Sequence, residues 1–208
     1  CENELLEEIN LPYLEICKHT FLLNNKYLTS ISFPSLRECG NSFIGFNEII
    51  NQANLPVLSE CGNHFLSCNN SMTKLCLPML KEAGDSFMRL NKSLIQIQVP
   101  SLEKCWDDFL FSNKILNDAS FPRLSRCGDG FLYNNNSLRL LDLSQISVCG
   151  RDFMALNKIL TEINLNWLHC CGDNFLLSNN NLKYLIVPWL EKCGDNFMRY
   201  NTTLESLY

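Results

Sequence analysis

Cysteine is the residue type in this chain with the widest range of possible chemistry, because a thiol can form disulfides, bind zinc or act as a nucleophile. Eight of the twelve cysteines recur in one column, four residues before a phenylalanine: Cys17, Cys39, Cys61, Cys105, Cys127, Cys149, Cys171 and Cys193. Ala83 occupies the same column, and alanine has similar bulk but no thiol. Close C-x-x-C pairs, which zinc sites use, do not occur. The column therefore predicts a small buried core position, and we expect no metal site and no cofactor.

The other thiols and the histidines do not converge on a reactive group. Four thiols lie outside the column and are the candidates for pairing or oxidation, with a redox state that the sequence leaves open: Cys1, Cys68, Cys76 and Cys170. Three histidines fall in two phases of the repeat, far apart in sequence: His19, His64 and His169. We therefore expect no catalytic triad and no enzyme within these residues. So many free thiols favour a reducing compartment.

Charge and hydropathy exclude two classes of partner. The formal net charge is −5, and the basic residues are scattered singly. A basic stripe able to follow a phosphate backbone is absent, so nucleic acid is not an expected partner. Because no run approaches the roughly 18 apolar residues that span a bilayer, we expect no membrane insertion.

A 22-residue period organises the whole chain. Phenylalanine recurs at each period without an insertion: Phe21, Phe43, Phe65, Phe87, Phe109, Phe131, Phe153, Phe175 and Phe197. All seven prolines also share one column. The unit reads C-G-D-x-F-L-x-x-N-x-x-L-x-x-I-x-L-P-x-L-x-x, which is too short to bury its own apolar face. Residues 1–208 are therefore predicted to form a single solenoid of about nine repeats, without clear terminal caps.

Each unit combines a strand signal with a turn signal. The L-x-x-I-x-L segment, as at Leu182, Leu185 and Val187, alternates and is closed by proline, which predicts a short strand. Stacked units would pair these strands in a parallel sheet on the concave face. The G-D-x-F-L segment offers a glycine for a bend and an Asp or Asn able to cap a helical turn. We expect short turns or helical segments on the convex face, giving an α/β solenoid shaped as a horseshoe or superhelix.

Asparagine stands four residues after each of the nine phenylalanines that recur at the 22-residue period. The column comprises Asn25, Asn47, Asn69, Asn91, Asn113, Asn135, Asn157, Asn179 and Asn201. An unpaired polar side chain repeated at an internal position would cost a few kcal/mol each time. Its amide can instead pair with backbone groups of neighbouring turns, so we predict a structural asparagine ladder.

The pattern L-x-x-I-x-L-P followed by C-G-x-x-F-L-x-x-N resembles the BspA-like, or Treponema-type, leucine-rich repeats over the whole chain. The resemblance implies a leucine-rich-repeat solenoid that serves as a binding scaffold. It also implies a surface or secreted protein of a bacterium or protist, acting in adhesion or host contact. The free thiols favour a reducing host cytosol instead, and both locations stay open.

A binding site on such a scaffold must use the variable positions, because the repeat only positions them. Apolar residues occur on the outward strand positions toward the C-terminal end, at Leu140, Tyr184 and Ile186. Trp167 and Trp189 occupy one column just beyond the strand. Exposed aromatics on neighbouring turns are typical of protein-binding hot spots. We predict a protein partner at this end.

Three alternatives stay open at this stage. Trp167 and Trp189 could stack on each other as packing. The chain could be the target-recognition arm of a longer secreted effector whose enzymatic domain lies outside these residues. It could also associate end to end through its open solenoid ends.

Overall fold

The computed structural model describes residues 3–208, which form a parallel β-solenoid of about nine turns with a 22-residue period. Each full turn contributes two short strands on different sides of the solenoid. Corresponding strands of successive turns lie 22 residues apart and pair in parallel, as Cys105 does with Cys127. Cys1 lies outside the described residues.

The first strand of each turn carries the alternating positions that the sequence predicts. These strands are β1 (Glu8–Asn10), β3 (Ser30–Ser32), β5 (Gln52–Asn54), β7 (Lys74–Cys76), β9 (Gln96–Gln98), β11 (Asp118–Ser120), β13 (Leu140–Asp142), β15 (Glu162–Asn164), β17 (Tyr184–Ile186) and β19 (Ser206–Leu207). Their pairing gives three consecutive parallel sheets, β1-β3-β5, β7-β9-β11-β13 and β15-β17-β19. The middle residue of each strand packs inward, and its neighbours point outward.

A second strand at the cysteine column was not predicted. These strands are β2 (Ile16–Cys17), β4 (Glu38–Cys39), β6 (Glu60–Cys61), β8 (Glu82–Ala83), β10 (Lys104–Cys105), β12 (Arg126–Cys127), β14 (Val148–Cys149), β16 (Cys170–Cys171) and β18 (Lys192–Cys193). They form one continuous nine-stranded parallel sheet. On every strand but β18 the cysteine, or Ala83, is buried in the core, while the preceding residue is more exposed; Cys193 on β18 is exposed. The solenoid therefore has two sheet faces rather than one.

The structure contains no helix within residues 3–208, so, of the short turns or helical segments that were expected, the helical segments are not present, and these residues form an all-β rather than an α/β solenoid. Residues around each phenylalanine instead adopt left-handed backbone conformations, such as Met88 at φ 50°. This geometry turns backbone groups toward neighbouring turns rather than along a helix. The Ser42 N–H donates to the Asn63 carbonyl at 2.7 Å, and the Met88 N–H donates to the Phe65 carbonyl at 2.9 Å.

Where an Asp or Asn stands two residues after the cysteine column, it also bridges turns instead of capping a helix. Asp129 Oδ1 accepts a hydrogen bond from the Arg151 N–H at 2.7 Å, and Asp107 Oδ1 accepts one from the Asp129 N–H at 2.8 Å. Backbone donors that a helix would satisfy internally are thus satisfied by the preceding turn. The convex face is held by inter-turn hydrogen bonds.

A continuous stack of phenylalanine rings runs through the core from Phe21 to Phe197. Ring centroids of successive turns lie 4.9–6.0 Å apart with interplanar angles of at most 10°. Phe33 and Phe121 pack edge-on against this stack. Aliphatic side chains of both strands close the core around the rings. Stacking therefore supplies the apolar burial that one 22-residue turn cannot supply alone.

Candidate protein-binding surface

The asparagine column fixes the loops that lead into the outward-facing strands. Asn47 is fully buried, and its N–H donates to Asn69 Oδ1 at 2.7 Å. Its own Nδ2 donates to the Leu22 carbonyl of the preceding turn at 2.7 Å. The same N–H to Oδ1 bond recurs on every turn from Asn25 to Asn179. Each asparagine thus ties its own turn to the preceding one and holds the strand positions at a constant spacing.

The thiols of the cysteine column are buried in the core, except that of Cys193 on the last strand of the column, which is exposed. Burial raises the pKa of the Cys61 thiol to about 12 and that of Cys39 well above its usual range. Every cysteine within residues 3–208 is a free thiol, and Cys76 and Cys193 are the exposed ones. Within the same residues, no group of three or more His, Cys, Asp or Glu is placed to hold a metal ion.

The histidines lie on the surface of different turns. His19 Nδ1 accepts a hydrogen bond from the Asn41 N–H at 2.9 Å, and His169 Nδ1 lies 3.6 Å from Glu191 Oε1. His64 lies on another turn and is exposed. These side chains are not brought together by the fold.

The strand positions singled out near the C-terminal end are accessible. Leu140 is 65% exposed and Tyr184 is 38% exposed, whereas Ile186 is half-buried. Tyr184 hydroxyl donates to Glu205 Oε2 at 2.9 Å, and this hydrogen bond raises the pKa of the phenol. Hydrogen bonds from Lys183 and Tyr184 lower the pKa of the Glu205 carboxyl. The Tyr184 ring is therefore oriented at its tip while its faces remain open.

The two tryptophans are individually exposed. Trp167 is 55% exposed and Trp189 is 61% exposed, on successive turns just beyond the strand. The ring contacts found within residues 3–208 include neither indole. The structure therefore shows no stacking of these two rings on each other, and both are free to contact another molecule.

A slot opens between β13 and β15, in the face formed by the first strand of each turn, which we call the strand face. Strands β13 and β15 belong to different sheets, so the strand pairing is interrupted there, as it also is between β5 and β7. A cavity of about 250 Å³ lies at this interruption. Its lining comprises Leu141, Asp142, Leu143, Ser144, Glu162, Ile163, Asn164, Leu165 and Asn166. The slot offers apolar walls and two carboxylates beside exposed aromatic and aliphatic side chains.

A larger groove covers the N-terminal part of the same strand face. Its volume is about 870 Å³, and its lining includes Ser30, Gln52, Lys74 and Cys76. Small polar side chains dominate there, and Asn54 Nδ2 donates to Ser32 Oγ at 3.1 Å. The sequence gave no signal for this groove, whose lining spans four successive turns and the interruption of pairing between β5 and β7.

Solved structures that are similar to this chain share little sequence identity with it. Neither the family models nor the curated proteins that were compared match the sequence. One similar solved structure is a leucine-rich repeat protein from Bacteroides ovatus ATCC 8483, with 12% identity and a TM-score of 0.42 over 94% of this chain and 85% of the other. Another is the pneumococcal vaccine antigen PcpA, with 15% identity and a TM-score of 0.46 over 97% of this chain and 66% of the other.

The class of the protein follows from its own strand pairing. Two sets of short parallel strands in constant 22-residue register define a β-solenoid repeat protein. Within residues 3–208 no helix is long and apolar enough to cross a membrane. The variable outward positions are the part of this scaffold that differs from turn to turn.

Proposed function

We propose that this protein is a leucine-rich-repeat scaffold that binds another protein through the C-terminal part of its strand face. The observation that carries the proposal is the exposure of Leu140, Trp167, Tyr184 and Trp189 on the three successive turns of β13, β15 and β17, at and next to the slot between β13 and β15. Aromatic side chains bury a large area with few torsions to immobilise, which favours protein interfaces. An apolar anchor side chain of the partner would enter the slot, and Asp142 and Glu162 would select a basic neighbour.

The wider biological role rests on the resemblance of the repeat to the BspA-like type. A leucine-rich-repeat scaffold of that type would act in adhesion or host contact at a cell surface, or as a secreted protein. Seven buried column thiols need no oxidation to pack, so the fold is compatible with a reducing environment. The partner is a protein surface with an apolar anchor and a basic rim.

The test compares two double variants that each remove two exposed apolar side chains. Tyr184→Ala plus Trp189→Ala removes two side chains of the proposed surface. Tyr13→Ala plus Met79→Ala is the matched control, because it removes two exposed apolar side chains from the N-terminal half. The wild type and the control should enrich the same partner in affinity capture, while the first variant should lose it. Equal enrichment by all three folded proteins would refute the proposed surface.

A further inference from the structure

A stripe of opposite charges runs along the outward face of the second sheet. Its residues, here called the charge stripe, stand on five adjacent strands from β4 to β12: Glu38, Glu60, Glu82, Lys104 and Arg126. They are direct neighbours in the parallel register. At roughly 4.8 Å per strand, the stripe is about 20 Å long. It presents three negative charges followed by two positive ones.

This arrangement is unfavourable within one molecule. Like charges on directly adjacent strands repel each other, and three glutamates stand side by side. None of the ion pairs among residues 3–208 involves a residue of the charge stripe. The charges are therefore available to a partner, and an opposing surface of reversed order would relieve the repulsion.

Trp106 stands beside the charge stripe, at the position directly after the cysteine column, which is glycine on most turns. Trp106 is 54% exposed, and its Nε1 donates to Glu82 Oε1 at 2.9 Å. Other turns carry glycine at this position, as Gly62 and Gly84 do. A cavity of about 360 Å³ is lined by these glycines, Glu60 and Trp106. The face therefore carries one protruding aromatic ring next to one recess.

We propose that a second copy of this chain docks on the second sheet in an antiparallel arrangement. The two-fold axis runs along the strand direction between β8 and β10. This axis places Glu82 opposite Lys104 of the second copy and Glu60 opposite Arg126 of the second copy. Each pair occurs twice because the interface is isologous. Each Trp106 faces the turn that carries Gly84 of the other copy, beside the recess.

The residues before the stripe favour the same register. Lys81 falls opposite Glu103 of the second copy, and Glu15 falls opposite His169 of the second copy. No like charges face each other in either column. Moving the axis onto β8 would instead place Glu82 opposite Glu82 of the second copy and Lys81 opposite Lys81 of the second copy. Repulsion thus excludes the adjacent register, which is how charge patterns impose specificity.

The interface is distinct from the proposed partner-binding surface. The second sheet lies on a different side of each turn from the strand face that carries Tyr184. The two proposals can therefore fail independently. A short stripe with exposed charges predicts reversible dimers in the micromolar range that weaken as salt is added.

Charge-reversed chains test the pairing directly. The basic variant is Glu60→Lys plus Glu82→Lys, and the acidic variant is Lys104→Glu plus Arg126→Glu. In sedimentation velocity up to about 100 µM, the wild type should dimerise, and each variant alone should associate at least about tenfold more weakly. Mixing the two variants should restore a heterodimer, because all charge pairs become opposite again. Circular dichroism checks that both variants keep the wild-type fold.

Trp106→Gly supplies a second test with little risk to folding, since glycine occupies this column on most turns. It should weaken the dimer at least about tenfold, whereas Tyr184→Ala plus Trp189→Ala should leave the dimer unchanged. A wild type that stays monomeric at low salt would overturn the proposal. So would a mixture of the two charge variants that stays monomeric, or a Trp106→Gly chain that dimerises as strongly as the wild type.

Discussion

Replacement of Asn113 by alanine should destabilise the solenoid by about 2–4 kcal/mol. Asn113 is fully buried, and its Oδ1 accepts from the Asn91 N–H at 2.8 Å. Truncation leaves that N–H buried without a partner, which costs about 1–3 kcal/mol. The Met88 carbonyl loses the Asn113 Nδ2 donor but keeps the Asn91 Nδ2 donor at 2.8 Å. Lost packing of the amide adds about 1 kcal/mol.

Urea unfolding followed by circular dichroism measures this change. Asn51→Ala is the matched control, because Asn51 is exposed and lies outside the ladder. Its replacement should change stability by at most about 0.5 kcal/mol. The m-value must be compared as well, since a solenoid can lose cooperativity when one inter-turn contact is removed. Equal midpoints and equal m-values for Asn113→Ala and the wild type would refute the structural role of the ladder.

Three further predictions concern the thiol column, the left-handed turns and the ring stack. Burial raises the pKa of the Cys61 thiol to about 12. As the pH rises, this thiol therefore loses its proton in the unfolded chain before it does so in the folded chain. Its contribution to stability is complete below the unfolded-state pKa and is lost as the pH rises toward 12. Cys61→Ala, which copies Ala83, should reduce the loss of stability between neutral and alkaline pH, and an unchanged pH slope in urea unfolding would contradict this. Ser42 has a φ of 52°, and Gly130 has a φ of 67° at the same repeat position. Because glycine adopts a positive φ without steric cost, Ser42→Gly should raise stability by about 0.5–1 kcal/mol in thermal unfolding. A lower Tm would count against this. Phe109→Ala should cost about 3–5 kcal/mol because it opens a gap in the stack, and a loss below about 1 kcal/mol would show that the rings do not pack as described.

The repeating columns made much of the fold predictable. Phe109 and Asn113 recur at a constant spacing, and only stacked turns can bury both types without unpaired polar groups. The alternation around Leu185 likewise predicted its strand, with Tyr184 and Ile186 pointing outward. These inferences succeed because each depends on short-range pattern and on burial, which the sequence carries directly.

Other features depend on contacts that the pattern does not encode. The strand at Glu38–Cys39 is two residues long and is defined by pairing with other turns, so its local signal is weak. Met88 adopts a left-handed conformation that ordinarily costs about 1–2 kcal/mol, which its buried side chain and its backbone hydrogen bonds to neighbouring turns offset. The helical segments that the sequence offered as one of two expectations for this region are therefore not present in the structure.

The candidate surface was predicted in part. The columns indicated which side chains point outward, and Leu140 and Trp167 are indeed exposed. The slot between β13 and β15 was not predictable, because the repeat pattern continues unbroken where the strand pairing stops. The charge stripe was not predicted because the second sheet, on which it lies, was not predicted.

Amide hydrogen exchange followed by NMR tests the stacked-turn architecture most directly. The backbone N–H groups of Asn47, Asn69, Asn91, Asn113 and Asn135 each donate to a buried asparagine of the next turn. They should rank among the slowest to exchange, alongside the amides of the sheet at the cysteine column. Exchange of these five amides at the rate of an unprotected chain, in an otherwise folded protein, would contradict the account.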